Sequence, residues 1–297
     1  MKACAIFFDE PLSYSDGLLI QEGILAARIK DLIPDTILFL EHLPVITCGV
    51  RSKPEQILLS EGELKAKHIE ISKSSRGGAV TFHGPGQLVM YPIVKLCCQR
   101  PQLKNWIPDL ATRSAWQVGN DIHPPHSVIP VKTGIQDMVT LDSLNVKPEN
   151  NTTDVHSYLH NLEEVAIRTA ADFGVTAYRR KGMTGAWTDH GKLAAIGVRF
   201  RRWVTYHGLS FNVNPDLSGF AAIIPCGLAG EKVAALKILL GSQSPALEKV
   251  RDVMADQFSA VFGRELSILN YKKLSGEQLS SLLVKLKQLT GQENDSG

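Results

Sequence analysis

The stretch that decides the fold is residues 193–213, LAAIGVRFRRWVTYHGLSFNV. Its two apolar runs, 193–200 and 203–213, are rich in β-branched and aromatic residues and are typical of strands. Only Arg201 and Arg202 separate them, which predicts a hairpin of antiparallel strands. Because helical segments elsewhere alternate with such strands, the pattern predicts an α+β fold with a mixed sheet packed against helices, rather than a strictly parallel α/β fold.

Hydrophobic periodicity extends this prediction on both sides of the hairpin. The predicted strands are Ala3–Phe8, Thr36–Glu41 and Pro44–Cys48, and the predicted helices are Ser13–Ile33, a segment from Asp154 to about Gly174, Leu247–Phe262 and Ser275–Leu289. Residues 75–91 combine a strand-like pattern with four glycines at 77, 78, 84 and 86, which indicates a tight loop where the backbone approaches another group closely.

Residues 99–153 break the pattern. They hold six of the chain's 15 prolines and follow neither a twofold nor a 3.6-residue period. We therefore predict one catalytic domain over residues 1–265, interrupted by a proline-rich, mobile insertion at about 99–153. Residues 266–297 are predicted to form a C-terminal helix and a polar tail.

Composition excludes a disordered, collagenous or low-complexity protein. The 297 residues are 44% hydrophobic and 21% charged, as in a folded globular chain, and the net charge of +2 gives no reason to expect a nucleic-acid binder. Five scattered cysteines without a CxxC spacing indicate a reduced, cytoplasmic protein. The sequence contains no run of about 18 apolar residues, so no membrane span is predicted.

Cys226 and Lys192 are the residues best suited to covalent chemistry. Cys226 stands between Pro225 and Gly227, where neighbouring backbone N–H groups can hold an oxyanion. Lys192 enters an apolar strand, from which its ammonium can stabilise a thiolate. The alternatives are a buried structural thiol and an ordinary solvent-facing lysine, and residue type alone leaves both open.

Two histidines, His83 and His207, each precede a glycine and suggest a pocket without proving one. The pair His123 and His126 has no third ligand in view, so no metal site is expected. The glycine loop matches neither the GxxxxGK[ST] nor the GxGxxG phosphate-binding pattern, which leaves phosphate binding a weak hypothesis.

Basic residues form two groups in this nearly neutral chain, at 179–181 and at positions 199, 201 and 202. Solvated faces explain such groups in most proteins. The other interpretation is a docking surface for an acidic protein partner, which electrostatic steering would favour.

Six collinear blocks carry a resemblance to a known family. They are residues 41–49 (EHLPVITCG), 76–92 (RGGAVTFHGPGQLVMYP), 182–187 (GMTGAW), 192–197 (KLAAIG), 201–212 (RRWVTYHGLSFN) and 225–227 (PCG). In order and length they resemble the octanoyltransferases of lipoate biosynthesis, also called lipoyl(octanoyl) transferases. The resemblance implies the fold of the catalytic domain of biotin and lipoate protein ligases.

The resemblance also implies an activity and its partners. Such an acyltransferase moves an octanoyl or lipoyl group from acyl carrier protein to a lysine on the lipoyl domains of 2-oxoacid dehydrogenases and on the glycine-cleavage H protein. It needs neither a cofactor nor a metal, because one thioester is exchanged for another on a cysteine nucleophile. The resemblance thus implies a cytoplasmic enzyme of protein lipoylation that binds neither nucleic acid nor a membrane.

Residue roles follow from the same resemblance. Cys226 would be the nucleophile and Lys192 its activator, with backbone N–H groups stabilising the oxyanion. The acyl chain would contact three groups of residues: Arg76, Gly77, Gly78, Ala79, Val80, Thr81, Phe82 and His83; Ala195, Ile196 and Gly197; and Gly208, Leu209 and Ser210.

Three departures from the family pattern, and two rival functions, accompany this prediction. The departures are the insertion at about 99–153, a second thiol at Cys48, and Ser210 in place of a small apolar residue. One rival is an ATP-dependent lipoate–protein ligase, against which Pro225-Cys226-Gly227 argues, since that chemistry needs no cysteine. The other is a catalytically silent module that binds the carrier protein and is disabled by the insertion.

Overall fold

The computed structural model describes residues 1–96, 155–224, 231–274 and 278–289. The insertion at 99–153 and the tripeptide 225–227 lie outside these residues. In chain order the strands are β1 Lys2–Phe8, β2 Asp35–Leu40, β3 Val45–Cys48, β4 Glu70–Lys73, β5 Val80–His83, β6 Gln87–Ile93, β7 Tyr178–Arg180, β8 Met183–Thr188, β9 Gly191–Arg201, β10 Val204–Asn212 and β11 Glu265–Tyr271. The helices are α1 Tyr14–Ile29, α2 Glu61–Ala66, α3 Val155–Asp172, α4 Leu236–Leu240, α5 Leu247–Phe262 and α6 Leu279–Gln288.

Eight of these strands form one mixed sheet in the order β11-β1-β2-β6-β10-β9-β8-β7. Strand β1 runs parallel to both of its neighbours, and the other pairs are antiparallel. A second sheet of three strands has the order β4-β3-β5. The structure confirms the α+β prediction, and β9 and β10 form the predicted hairpin.

The two faces of the main sheet bury different side chains because residues alternate along each strand. In β1, Ala3, Ala5 and Phe7 pack into the core beneath α3 and α5. Cys4, Ile6 and Phe8 pack into the core beneath α1 and α6. Burial also raises the pKa of the Cys4 thiol to about 12, so this cysteine is an inert core residue.

Several predicted boundaries agree closely with the structure. Helix α5 has the predicted bounds and ends at Gly263, which takes the left-handed conformation that terminates many helices. The described part of the predicted helix 275–289 is α6. Strand β11 was not predicted, and it pairs with β1 along its whole length, so residues 265–271 belong to the main sheet and not to a separate C-terminal segment. None of the helices in the described ranges is long and apolar enough to span a membrane.

Candidate active site

Lys192 lies on β9 directly across from Trp187 on β8. Its Nζ stands 4.8 Å from the centroid of the Trp187 ring, a cation–π distance. The ring is buried, and its Nε1 donates to the Met183 carbonyl at 2.9 Å. Gly185 leaves room for the lysine stem, since a Cβ there would approach Lys192 Cε to 3.2 Å. Strand β8 therefore contacts both the alkyl stem and the ammonium of Lys192.

A hollow surrounds this lysine, and we call it the lysine hollow. It holds about 440 Å³ outside protein atoms, part of it open to solvent. Its lining residues are Thr81, Gln87, Trp187, Lys192, Ala195, Ser210, Asn212, Phe220, Glu231, Lys232 and Val233. The last three follow directly after residues 225–230, and Lys192 N donates to the Lys232 carbonyl at 2.8 Å.

The predicted nucleophile, Cys226, lies outside the described residues. The chain before it is anchored, because Ile224 N donates to the Gln56 carbonyl at 2.8 Å and Ile223 bridges to Ile57. The chain after it is anchored at Glu231–Val233 in the wall of the lysine hollow. The residues on either side of the segment 225–230 are thus fixed to the body of the protein.

A second hollow adjoins the first and is named the glycine-loop hollow after the loop of residues 74–79, of which Arg76, Gly77 and Gly78 form one of its walls. It holds about 470 Å³ outside protein atoms, again including open space. It is lined by Tyr14, Arg76, Gly77, Gly78, Thr81, His83, Val89, Tyr91, Ala195, Ile196, Gly197, His207, Gly208, Leu209 and Ser210. Thr81, Ala195 and Ser210 line both hollows, so the two form one continuous cleft.

The structure brings most of the predicted substrate-binding residues together in the glycine-loop hollow. Three of them do not line it: Ala79, Val80 and Phe82. Alternation along β5 is the reason, because Thr81 and His83 face the cleft while Val80 and Phe82 pack into the core of the small sheet. Ala79 uses its carbonyl to accept a hydrogen bond from Gly49 N at 3.1 Å.

Arg76 anchors the glycine loop to the small sheet. Its buried guanidinium donates from Nη2 to the carbonyl and the hydroxyl of Thr47, at 2.7 and 2.8 Å. A third hydrogen bond runs from Nη1 to the Gly77 carbonyl at 3.1 Å. The cationic head is therefore bound to polar groups of the protein, which offset the cost of burying it.

Aromatic and imidazole rings form much of the glycine-loop hollow, and several of their polar atoms bind protein groups, whereas His207 Nδ1 has no hydrogen-bond partner among the described residues. Tyr14 Oη donates to Ser74 Oγ at 2.7 Å, and Tyr91 Oη lies 2.8 Å from His42 Nε2. His83 Nδ1 lies 2.6 Å from the Gln87 side-chain oxygen. A chain entering this hollow therefore meets mainly ring faces and glycine backbone.

The histidines at this hollow are neutral at pH 7. Burial lowers the pKa of His83 and of His207 to about 3, and positive neighbours including Arg76 add to the effect. Burial likewise lowers the pKa of His42, behind Tyr91, to about 4. The hollow thus offers uncharged imidazoles, an environment suited to an apolar ligand.

Sequence reasoning missed Tyr14, His42 and Tyr91 as contributors to this hollow. His42 and Tyr91 lay within the family blocks, but only the fold shows that their rings meet. Glu41, in the same block, accepts from Gly86 N at 2.5 Å and so fixes the turn after His83. The run Gly84-Pro85-Gly86 was the available sequence signal for that turn, and in the structure Gly86 takes a φ of +86° directly before the buried strand β6.

The basic groups differ in their contacts. Arg179 pairs with Glu163 and Glu164 of α3, and Arg180 pairs with Glu231 at 2.7 Å. Arg199 donates to the Ser75 carbonyl at 2.9 Å, on the glycine loop. Arg201 and Arg202 are exposed at the β9–β10 turn.

Within the described ranges no cluster of three or more potential metal ligands occurs, and His123 and His126 lie outside those ranges.

Known proteins resemble this chain in sequence over most of its length. The family model of the lipoyl protein ligase A/B catalytic domain matches residues 13–106 and 139–259. The octanoyltransferase of Caldicellulosiruptor bescii is 37% identical over 89% of this chain and 93% of its own length. That of Chloroflexus aurantiacus is 34% identical over 89% of this chain and 96% of its own.

Solved structures share the fold. A lipoate-protein ligase A bound with ATP superposes with a TM-score of 0.63 at 13% identity, covering 97% of this chain and 95% of its own. A bipartite lipoate protein ligase from Thermoplasma acidophilum gives 0.61 at 13% identity, over 97% and 92%. The family match and the close relatives together show that this chain belongs to the lipoyl protein ligase A/B catalytic-domain family and, within it, to the octanoyltransferases, which are acyltransferases of protein lipoylation.

Proposed function

We propose that this octanoyltransferase works through a thioester on Cys226, with Lys192 as the group that activates the thiol and moves protons. The supporting observation is that Lys192 lies in the lysine hollow, whose wall includes Glu231–Val233, and these residues begin five positions after Cys226. An ammonium near a thiol favours the thiolate, which is the nucleophilic form.

The reaction proceeds in two balanced steps. In the first, the Cys226 thiolate attacks the octanoyl thioester carbonyl, a carbon–sulfur bond forms, and the carrier's sulfur leaves with a proton from Lys192. In the second, the amine of the acceptor lysine attacks the acyl-enzyme and forms an amide. Its proton passes to Lys192, and Cys226 leaves as a thiolate, so both groups return to their starting states.

The octanoyl chain lies in the glycine-loop hollow. Neutral histidines and aromatic ring faces line that hollow, and Thr81, Ala195 and Ser210 connect it to the lysine hollow. The carbonyl would lie at this junction, next to the lysine hollow, while the alkyl chain extends beneath the glycine loop. Burial of each methylene contributes about 0.8 kcal/mol, so the depth of the hollow sets chain-length preference.

The acceptors are lipoyl domains, as membership of the family implies. For the finer assignment we propose octanoyl-acyl carrier protein as the donor in the cytoplasm. We propose the lipoyl domains of 2-oxoacid dehydrogenases and the glycine-cleavage H protein as acceptors. Arg201 and Arg202, exposed at the β9–β10 turn, are positioned to contact an acidic carrier.

A transfer assay tests the proposal against its two rivals. The purified chain is mixed with octanoyl-acyl carrier protein and an apo lipoyl domain without ATP, and the mass of the lipoyl domain is followed. We expect a gain of one octanoyl group. Transfer only from free octanoate with ATP would instead indicate a ligase. Carrier binding without any transfer would indicate a silent module.

A further inference from the structure

His207 has an unusual backbone conformation for a residue inside a strand. Its φ is +57°, and among the described residues it is the only non-glycine residue with positive φ that lies within a strand. The other four, such as His68, lie in turns. This conformation is strained for a residue with a Cβ and persists only where neighbouring groups enforce it.

The backbone hydrogen bonds between β10 and β6 are interrupted at this residue. The register of Leu209 with Met90 places His207 opposite Pro92, which has no N–H to donate. The Pro92 carbonyl accepts instead from the Thr205 hydroxyl at 2.7 Å. The His207 carbonyl therefore lacks the donor that a paired strand normally offers it, and the His207 N–H donates to a side chain of α1.

Gln21 is the residue that accepts this hydrogen bond. Its side-chain oxygen accepts from His207 N at 2.9 Å. Gln21 is fully buried on the inner face of α1, close in sequence to the core residues Ile20 and Ile24. Its side-chain nitrogen has no partner in the described structure. Burying an amide on an apolar helix face costs free energy, so a contact specific to His207 explains its presence there.

The left-handed turn brings two neighbouring rings together. Successive side chains of a strand normally point to opposite faces of the sheet. On β10, Tyr206 packs into the core beneath α1, whereas Leu209 and Phe211 pack on the opposite side. The ring of His207 stacks on that of Tyr206, with centroids 4.8 Å apart, although its odd-numbered position would place it with Leu209.

Both rings then bind the same residue of the glycine loop. Ser75 Oγ lies 3.2 Å from Tyr206 Oη and 3.1 Å from His207 Nε2. Ser75 immediately precedes Arg76, Gly77 and Gly78, which form a wall of the glycine-loop hollow. The contact from Gln21 is therefore relayed through His207 to the wall of that hollow.

We propose that Gln21 is a positioning residue that determines acyl-chain selectivity. It holds His207 in the left-handed conformation, which directs the Tyr206 and His207 rings onto Ser75 and fixes the wall against which the alkyl chain packs. The inference rests on the proposed function in one respect, that the glycine-loop hollow takes the acyl chain. Gln21 is not among the residues that line the lysine hollow, and its described hydrogen bond runs to His207.

Competition between donors tests this inference. The full-length parent and Gln21→Met are each mixed briefly with equal amounts of octanoyl- and decanoyl-acyl carrier protein, and the two acyl adducts are quantified by intact mass. Methionine keeps the volume of glutamine but offers no acceptor of comparable strength. We expect the octanoyl preference to fall about fivefold or more, because a hollow with a loosened wall no longer discriminates two methylenes.

A matched control separates positioning from stability. Ile24→Val trims the same face of α1 without touching His207, so its melting temperature should fall while its adduct ratio stays within about twofold of the parent. An unchanged ratio in Gln21→Met, with a lower melting temperature, would overturn the inference. Absence of any adduct in the parent would instead reject the proposed function on which the inference rests.

A second variant keeps the test decisive where Gln21→Met does not fold. Glycine adopts positive φ without strain, so His207→Gly retains the backbone path and removes only the ring. We expect the octanoyl preference to fall as it does in Gln21→Met. A parental ratio in His207→Gly would show that the ring does not set the wall, which would also overturn the inference.

Discussion

The lysine hollow and the glycine-loop hollow are parts of one cleft, but they are built differently. The first is lined by ionisable side chains, Lys192, Lys232 and Glu231, and by residues that flank the segment 225–230. The second is lined by neutral rings and glycine backbone, and its arginine is bound to Thr47. Half-buried or exposed ionisable groups and neutral rings thus occupy different parts of the cleft, joined at Thr81, Ala195 and Ser210, and in the proposed function the first would serve the chemical step and the second the acyl chain.

The largest expected effect comes from removing the charge of the lysine hollow. Lys192→Met keeps much of the stem but has no ammonium, and acyl-enzyme formation should slow by about a thousandfold. Rapid-quench intact mass measures this rate. Lys232→Met is the matched control, because Lys232 contacts Lys192 through its backbone carbonyl, which any side chain retains. Equal losses in the two variants would mean that the charge of Lys192 has no special role.

A substitution in the floor of the glycine-loop hollow should have the next largest effect. In Gly208→Ala the new Cβ would collide with the Met90 carbonyl oxygen on the adjacent strand. Because two paired strands cannot separate locally, we expect the free energy of unfolding to fall by about 2 kcal/mol or more. Denaturant titration measures it.

Gly62→Ala provides the contrast for that experiment. Gly62 lies in α2, and nothing stands within 4 Å of the position that an added Cβ would take. Alanine there should raise the free energy of unfolding by about 0.5–1 kcal/mol, because it lowers the entropy of the unfolded chain. Similar destabilisation by both substitutions would show that crowding at Gly208 is not the cause.

A smaller effect is expected at the ring that carries the lysine. Trp187→Leu removes the π face beneath Lys192 Nζ, whereas Trp187→Phe keeps a weaker one. Acyl-enzyme formation should therefore slow about tenfold in the leucine variant and about threefold in the phenylalanine variant. The same rate in both variants would indicate that ring volume, and not the cation–π contact, explains the loss.

The smallest effect concerns the neutrality of the glycine-loop hollow. Burial lowers the pKa values of His42, His83 and His207 to about 4, 3 and 3. In the unfolded chain a histidine has a pKa of about 6.5, so below that pH the unfolded chain binds more protons than the folded chain. Stability is therefore fully present above that pH and is lost as the pH falls from there towards 3.

Melting temperatures between about pH 7 and pH 5.5 check this sign. The parent should lose stability steadily across that window, and His42→Gln should lose it less steeply, because one fewer buried imidazole must remain neutral. A variant with a slope as steep as that of the parent, or a parent that gains stability on acidification, would contradict the assignment of a neutral hollow.

Much of the fold follows from the sequence because hydrophobic periodicity is local. The helix predicted at Leu247–Phe262 has those bounds in the structure, and the hairpin at 193–213 was recognisable from its two apolar runs. Strand β11 was missed because most of its side chains are exposed or half-buried and give no buried run. Its place in the sheet depends on β1, which is more than 250 residues away in the sequence.

The candidate site was less predictable for a similar reason. Residue type alone favoured a solvent-facing lysine at position 192, because the contact of Lys192 with Trp187 depends on cross-strand register, which shifts between Ala186 and Trp187. Gln21 gave no signal at all, since a glutamine on a helix looks like an exposed residue until its partner on β10 is known. The resemblance to a family therefore identified residues that spacing alone left open.

The central claim is that the acyl group passes through Cys226, and intact-protein mass after brief incubation with octanoyl-acyl carrier protein tests it most directly. The parent and Cys48→Ala should each gain one octanoyl group, and Cys226→Ala should gain none. An adduct that survives in Cys226→Ala but disappears in Cys48→Ala would place the nucleophile on the other thiol and contradict the account.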